Sequence, residues 1–179
     1  MALMDYENTF VALGIKAKAA AQELHLATDE IRNKALAYTA VLLDQHRDDI
    51  LQANAIDLGK AQENGVKTVM IDRLRLTNER IDGMIEGIQQ VISLPTPLNQ
   101  LLETIERPNG LVIKKVSVPL GVTLIMFEAR PNVTVDASVL SLKAGNAVIL
   151  RGGKEALETN KVLVSLLQKG AEKAGLPQE

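Results

Sequence analysis

Two short loops hold most of the polar side chains in this 179-residue sequence that could do chemistry. The first runs Glu128-Ala129-Arg130-Pro131-Asn132-Val133-Thr134, with Asp136 just behind it. Asn132 can donate an amide hydrogen bond to a developing oxyanion. Arg130 can grip a carboxylate or phosphate, and with Glu128 it is a candidate for contact with substrate. The competing reading is structural: Asn132 and Thr134 cap a helix, and Glu128 pairs with Arg130. The second loop is Arg151-Gly152-Gly153-Lys154. A Gly-Gly loop between a strand and a helix leaves backbone N–H groups free and lets a phosphate approach closely. Arg151 and Lys154 add positive charge, as basic residues do where a dinucleotide carries a 2′-phosphate. Here the competing reading is an ordinary connection with solvated charges. The Rossmann G-x-G-x-x-G and Walker A patterns are both missing.

No complete catalytic constellation is visible. His25 and His46 lie near expected helix ends, far from both loops, where capping or solvent exposure is the expected role. The sequence has no cysteine, which excludes disulfides, Cys-based zinc sites and thiol catalysis by these residues alone.

The elements around the loops follow from periodicity. Val122–Phe127 is a nearly all-apolar run, the pattern of a strand buried on both faces. A helix opened by Asn132 or Thr134 runs to about Ala144, and Gly145-Asn146 ends it. Ala147–Leu150 is a second short strand. The final helix turns Leu163, Leu166, Leu167, Ala171 and Ala174 inward. Residues 119–179 thus form a βαβα unit, the start of a dinucleotide-binding sheet. Two parallel strands make an uncomfortable sheet alone. Either the preceding β-run joins them, or another chain does, or the unit belongs to a longer protein, which is the expectation adopted.

Residues 1–98 read as a helical layer, the helical part of the same domain. Helices are expected over Asp5–Leu24, from an N-cap at Thr28 to near His46, and over Asp48–Asn64. Residues 66–76 are ambiguous and allow a short helix. Thr77 caps a further helix with Ile81, Ile85, Ile88 and Ile92 in its stripe, ended by Pro95 and Pro97. Between the two parts, residues 99–118 form a hairpin, because Pro108-Asn109-Gly110 separates two β-prone runs. Such a hairpin is either a solvated surface feature or an oligomerisation arm.

Composition narrows the function classes. Hydrophobic residues make up 46%, enough for a core, while aromatics are only 2%. A net charge of -2 argues against nucleic acid as a partner. No apolar run has the length of a membrane span, and the N-terminus lacks the plan of a secretory signal. A cytoplasmic protein acting on a small molecule is the expectation.

The blocks EARPNVTVD (Glu128–Asp136) and KAGNAVILRGGKE (Lys143–Glu155) resemble the gamma-glutamyl phosphate reductase (glutamate-5-semialdehyde dehydrogenase) family of the aldehyde dehydrogenase superfamily. ILQANAIDL (Ile50–Leu58) and IDRLRLT (Ile71–Thr77) extend the resemblance over essentially the whole chain. It implies an α/β fold, an incomplete Rossmann-like dinucleotide-binding domain without the catalytic domain. It also implies an NADPH-dependent reduction of L-glutamyl 5-phosphate to L-glutamate 5-semialdehyde and phosphate in proline biosynthesis. In that chemistry a cysteine thiolate displaces phosphate and NADPH then delivers hydride. Asn132 takes the oxyanion-hole position. Arg151, Gly152, Gly153 and Lys154 fall where the superfamily binds the adenosine ribose of NADPH or NADP. The hairpin matches the oligomerisation arm, which points to a homo-oligomer or to pairing with a missing C-terminal half. Family members are more than twice as long and carry their cysteine further downstream, so the chain resembles their N-terminal part only and is expected to be inactive alone. The alternatives are a non-catalytic cofactor-binding or assembly module and an inactive truncated remnant.

Overall fold

The computed structural model describes residues 2–177, with side chains from residue 7 onward. The first five helices are α1 (Ala2–Leu26), α2 (Asp29–Gln45), α3 (Arg47–Glu63), α4 (Thr68–Leu74) and α5 (Asn78–Ser93). Two of the expected caps are formed. Thr28 Oγ1 accepts from the Ile31 N–H, and Thr77 Oγ1 from the Arg80 N–H. Each satisfies one of the first-turn donors that a helix leaves open. His46 sits at the joint of α2 and α3, its Nδ1 2.7 Å from Asp49 Oδ2. The ambiguous stretch folds as the seven-residue α4.

The chain then forms the antiparallel hairpin β1 (Leu101–Glu106) and β2 (Val112–Val116), turning at Gly110 with φ +83°. Ser117 clamps the base of the hairpin: its Oγ donates to Pro97 O and accepts from the Gln100 N–H. Next come β3 (Val122–Met126), α6 (Pro131–Lys143), β4 (Ala147–Arg151), a 3-10 turn (Lys154–Ala156) and α7 (Leu157–Lys173). β3 and β4 pair in parallel, from Val122 opposite Ala147 to Met126 opposite Arg151. The hairpin does not join them; each sheet has two strands.

The main core lies among the helices. Leu36, Leu43, Ile50, Ile81, Ile88, Val135 and Leu163 interlock there, joining α2, α3 and α5 to α6 and α7. The helical layer and the βαβα unit therefore share one core. A second cluster uses small residues: Ala20, Ala21 and Leu24 of α1 approach Ala147 of β4. A third, of Ala61, Leu74, Ala129 and Ala156, underlies the two polar loops.

Two expectations need correction. β3 is not buried on both faces: Leu124 is 61% and Met126 73% exposed, while Thr123 and Ile125 point inward. Ala147, which pairs with Val122 and so shares the face of Leu124 and Met126, packs with α1, so that face is covered at its start and open towards the strand end. Neither Asn132 nor Thr134 caps α6. The cap residue is Arg130, without a side-chain cap bond, and Pro131 occupies the first turn, where its missing N–H costs nothing.

Gly170 of α7 marks a close contact with α2. A Cβ there would stand 3.0 Å from the Thr39 backbone nitrogen and strike Thr39 Oγ1, whereas a Cβ on Gly59 of α3 would meet nothing within 4 Å. The same substitution should therefore have opposite signs at the two sites. Gly170→Ala should lower stability by about 1–3 kcal/mol through overpacking. Gly59→Ala should raise it by up to about 1 kcal/mol through helix propensity. Urea unfolding midpoints of the two variants test both.

Candidate active site

The loop from Phe127 to Pro131 leaves the C-terminal end of β3 and separates two clefts. On one side is a crevice of ≈ 490 Å³ at the ends of both parallel strands, lined by Met126, Phe127, Glu128, Ala129, Arg151, Gly153 and Glu155, with Val66, Met70 and Leu74 as its apolar wall. Crevices of this kind, beyond the carboxyl ends of parallel strands, are where α/β sheets bind ligands.

The two glycines of the second loop set how closely its backbone approaches the first. A Cβ on Gly152 would stand 2.6 Å from Asn160 Nδ2 and 3.0 Å from the Phe127 ring. One on Gly153 would stand 2.9 Å from the Ala129 nitrogen. Any side chain here would push apart the two loops that form the crevice. Among the described residues, the backbone N–H groups of Gly152, Gly153 and Lys154 have no protein acceptor. Arg151 and Lys154 are exposed and form no ion pair there.

The helix that follows has its own anion already. Asp57 of α3, 2% exposed, accepts from the Glu158 N–H at 3.2 Å, the Thr159 N–H at 2.8 Å and the Thr159 hydroxyl at 2.7 Å. The carboxylate satisfies first-turn donors of α7 and meets the positive end of its dipole. The donors left for an external phosphate are thus those of the Gly-Gly loop and the 3-10 turn, one step before the helix proper. Residue spacing gave no sign of Asp57, because its partner is about a hundred positions away in the chain.

Across the Phe127–Pro131 loop lies a cleft of ≈ 520 Å³, lined by Asp72, Arg73, Arg75, Leu76, Glu79, Arg80, Gly83, Met84, Arg130, Asn132 and Asp136. Asn132 sits in the first turn of α6 and donates from Nδ2 to Asp136 Oδ2 at 3.3 Å, which leaves its second N–H available. Partial burial pushes the Asp136 carboxyl above its ordinary value, although the Asn132 amide works in the opposite direction. Thr134 belongs to the scaffold: it is 1% exposed and donates to Asn160 Oδ1 at 2.8 Å, joining α6 to α7. Glu128 pairs with Arg73 at 3.2 Å, not with Arg130. This pair spans the wall between the two clefts. The arginines of IDRLRLT were not singled out from the sequence, although two arginines in three positions with a third five further on was a readable signal.

An aldehyde dehydrogenase family model matches residues 8–179. The chain belongs to the aldehyde dehydrogenase family. That family consists of oxidoreductases that use a nicotinamide cofactor. The chain is 49% identical, over 93% of its own length and 40% of the relative's, to gamma-glutamyl phosphate reductase of Desulforamulus reducens, and 48% identical to that of Bartonella tribocorum over 93% and 41%. It superposes on the crystal structure of gamma-glutamyl phosphate reductase from Thermotoga maritima with a TM-score of 0.89 and 42% identity, covering 91% of this chain and 39% of that one. A probable aldehyde dehydrogenase from Listeria monocytogenes shares the fold at 17% identity, with a TM-score of 0.62. The chain spans about 40% of the length of the curated relatives it matches, corresponding to their N-terminal part. The family fold and the α/β reading agree. No helix among the described residues is long and apolar enough to cross a membrane, and no described cluster of His, Asp and Glu could hold a metal ion.

Replacing Asp57 should loosen the start of α7 before anything else. Asp57→Ala is expected to cost about 2–3 kcal/mol, since it leaves buried donors unmet. Urea unfolding measures the loss. Hydrogen exchange should show the Glu158 and Thr159 amides losing protection; unchanged exchange there would contradict the capping role.

Proposed function

We propose that the chain forms the cofactor side of an NADPH-dependent reductase that converts L-glutamyl 5-phosphate to L-glutamate 5-semialdehyde and phosphate, a step of proline biosynthesis in the cytoplasm. The observation that carries this reading is the division made by the Phe127–Pro131 loop. The unpaired Arg151 and free amides line the crevice on one side of it, with Lys154 next to Gly153, and an amide donor in an arginine-lined cleft stands on the other. The names of the relatives supply the substrate.

The crevice residues suit the group they would hold. Arg151 and Lys154 would take the 2′-phosphate, and the close-set Gly152-Gly153 backbone would offer N–H groups to phosphate oxygens. Met70 and Met126 offer adaptable apolar surface to a flat ring. When bound, the cofactor supplies the hydride. Asn132 would direct its free N–H at the substrate carbonyl oxygen and stabilise negative charge as it develops there. The Arg73–Glu128 pair would keep the wall between the two ligands in place. A thiol nucleophile, which the family resemblance calls for, is not among these 179 residues.

Titration of the purified chain with NADPH and NADH, followed by nicotinamide fluorescence, tests the cofactor assignment. NADPH should bind at least about tenfold more tightly, and Arg151→Ala or Lys154→Ala should each weaken NADPH several-fold while leaving NADH nearly unchanged. Equal affinity for the two cofactors would remove the 2′-phosphate role.

The hairpin supports a second element of the proposal, assembly of a homo-oligomer. Leu101, Leu102, Val112, Ile113 and Val116 are all 40–60% exposed on a two-stranded ribbon with open edges. Edges of this kind invite pairing with another chain. Sedimentation velocity should give a dimer or larger species, and Ile113→Lys should shift it toward monomer. A wild-type chain that is monomeric at micromolar concentration would refute the arm.

A further inference from the structure

The cleft beside Asn132 contains four guanidinium groups, and their partners divide them into two pairs. Arg73 is held by Glu128 at 3.2 Å. Arg80 is held by the Asp72 carboxylate, the Asp72 carbonyl and the Arg75 carbonyl. These two are committed to the scaffold. Arg75 and Arg130 line the same cleft, and among the described residues their side chains have no hydrogen-bond or ion-pair partner. Both project from rigid points. Arg75 is the residue that ends α4, between Leu74 and Leu76, whose backbones Asn54 binds. Arg130 is the cap residue of α6, one position before Pro131.

We infer that Arg75 and Arg130 together form an oxyanion clamp that selects an acyl substrate with a second anionic group. This rests on the reading that Asn132 faces the reacting carbonyl. Two unpaired guanidiniums in one concave site cost free energy through mutual repulsion, and an oxyanion between them relieves it. The planar fork of arginine matches carboxylate and phosphate alike, so the shared chemistry is a bidentate oxyanion contact. Three acids line the cleft, and none hydrogen-bonds or pairs with either arginine: Asp72 is engaged by Arg80, Glu79 by the Thr77 cap at the start of α5, and Asp136 by the Asn132 amide. A neutral aldehyde would leave both cations unsatisfied, so the clamp gives discrimination as well as affinity.

The test is calorimetric titration of the full chain at low ionic strength with inorganic phosphate and, separately, with glutarate, alongside the NADPH titration above. Either probe should bind saturably at millimolar concentration. Arg75→Ala and Arg130→Ala should each weaken binding at least about tenfold. Arg75→Lys should recover it only in part, because an ammonium lacks the fork. Arg107→Ala, on the exposed hairpin turn, should leave it unchanged. NADPH affinity should survive in all four variants, since the clamp lies across the loop from Arg151. Tighter glutarate binding assigns the pair to the carboxylate end of the substrate; tighter phosphate binding assigns it to the phosphate. Absence of binding by both probes, or binding unaltered in Arg75→Ala and Arg130→Ala, overturns the clamp even where NADPH binds. Loss of NADPH binding with probe binding intact leaves the clamp standing and defeats the cofactor reading instead.

Discussion

One turn of α3 carries the buried polar contacts on which both clefts depend. Asn54 and Asp57, three residues apart, lie on the same face of the helix and are 1% and 2% exposed. Asp57 meets the start of α7 with a full charge. Removing a carboxylate from water costs several kcal/mol, and no cation among the described residues repays it. Three donors do, at about 1.5–3 kcal/mol each for hydrogen bonds to a charged group, together with the positive end of the α7 dipole. Asn54 meets the other side: it donates to Leu74 O at 2.9 Å and accepts from the Leu76 N–H at 2.8 Å. Its contact with Thr159 Oγ1 at 3.3 Å closes the circuit. A single helical turn thus fixes where α7 begins, hence where the Gly-Gly loop lies, and where α4 ends, hence where Arg73 and Arg75 project.

That constraint also decides which atoms remain for a ligand. Since Asp57 already occupies the first turn of α7, an external anion must be met earlier, by the loop. The loop is narrow because Gly152 and Gly153 press against Phe127 and Ala129. The glycines are required in the first instance by protein-to-protein approach, which in turn leaves the adjoining amides uncovered. Packing alone thus accounts for both glycines, and the proposed binding role would add the same demand rather than a competing one.

Much of the fold was legible in the sequence where local rules govern. Thr28 and Thr77 announced their caps, Asn109-Gly110 its turn, and the isoleucine stripe its helix, because each signal lies within a few residues of its effect. What failed involved distant partners. The apolar run at Val122–Met126 specifies a strand, but not whether both faces find a cover. Thr134 looked like a cap and is a bridge to Asn160, twenty-six positions on. Glu128 looked like the partner of Arg130 and pairs instead with Arg73, fifty-five positions back. The site showed the same division. Its loops could be read directly, whereas Asp57 and the arginines after α4 acquire meaning only when the chain brings them beside those loops.

The misread pairing has a chemical consequence. Had Glu128 paired with Arg130, the loop would have closed on itself and presented a neutral surface to both sides. Because Glu128 reaches across to Arg73, the acid stays at the wall and Arg130 is left uncompensated in the cleft with Arg75. The charge asymmetry around Asn132 is therefore set by which arginine captures one carboxylate. An exposed pair of this kind is worth little as stability, about 0–1 kcal/mol. Its consequence in the proposed clamp is one of recognition, since it determines which guanidiniums face the cleft unpaired.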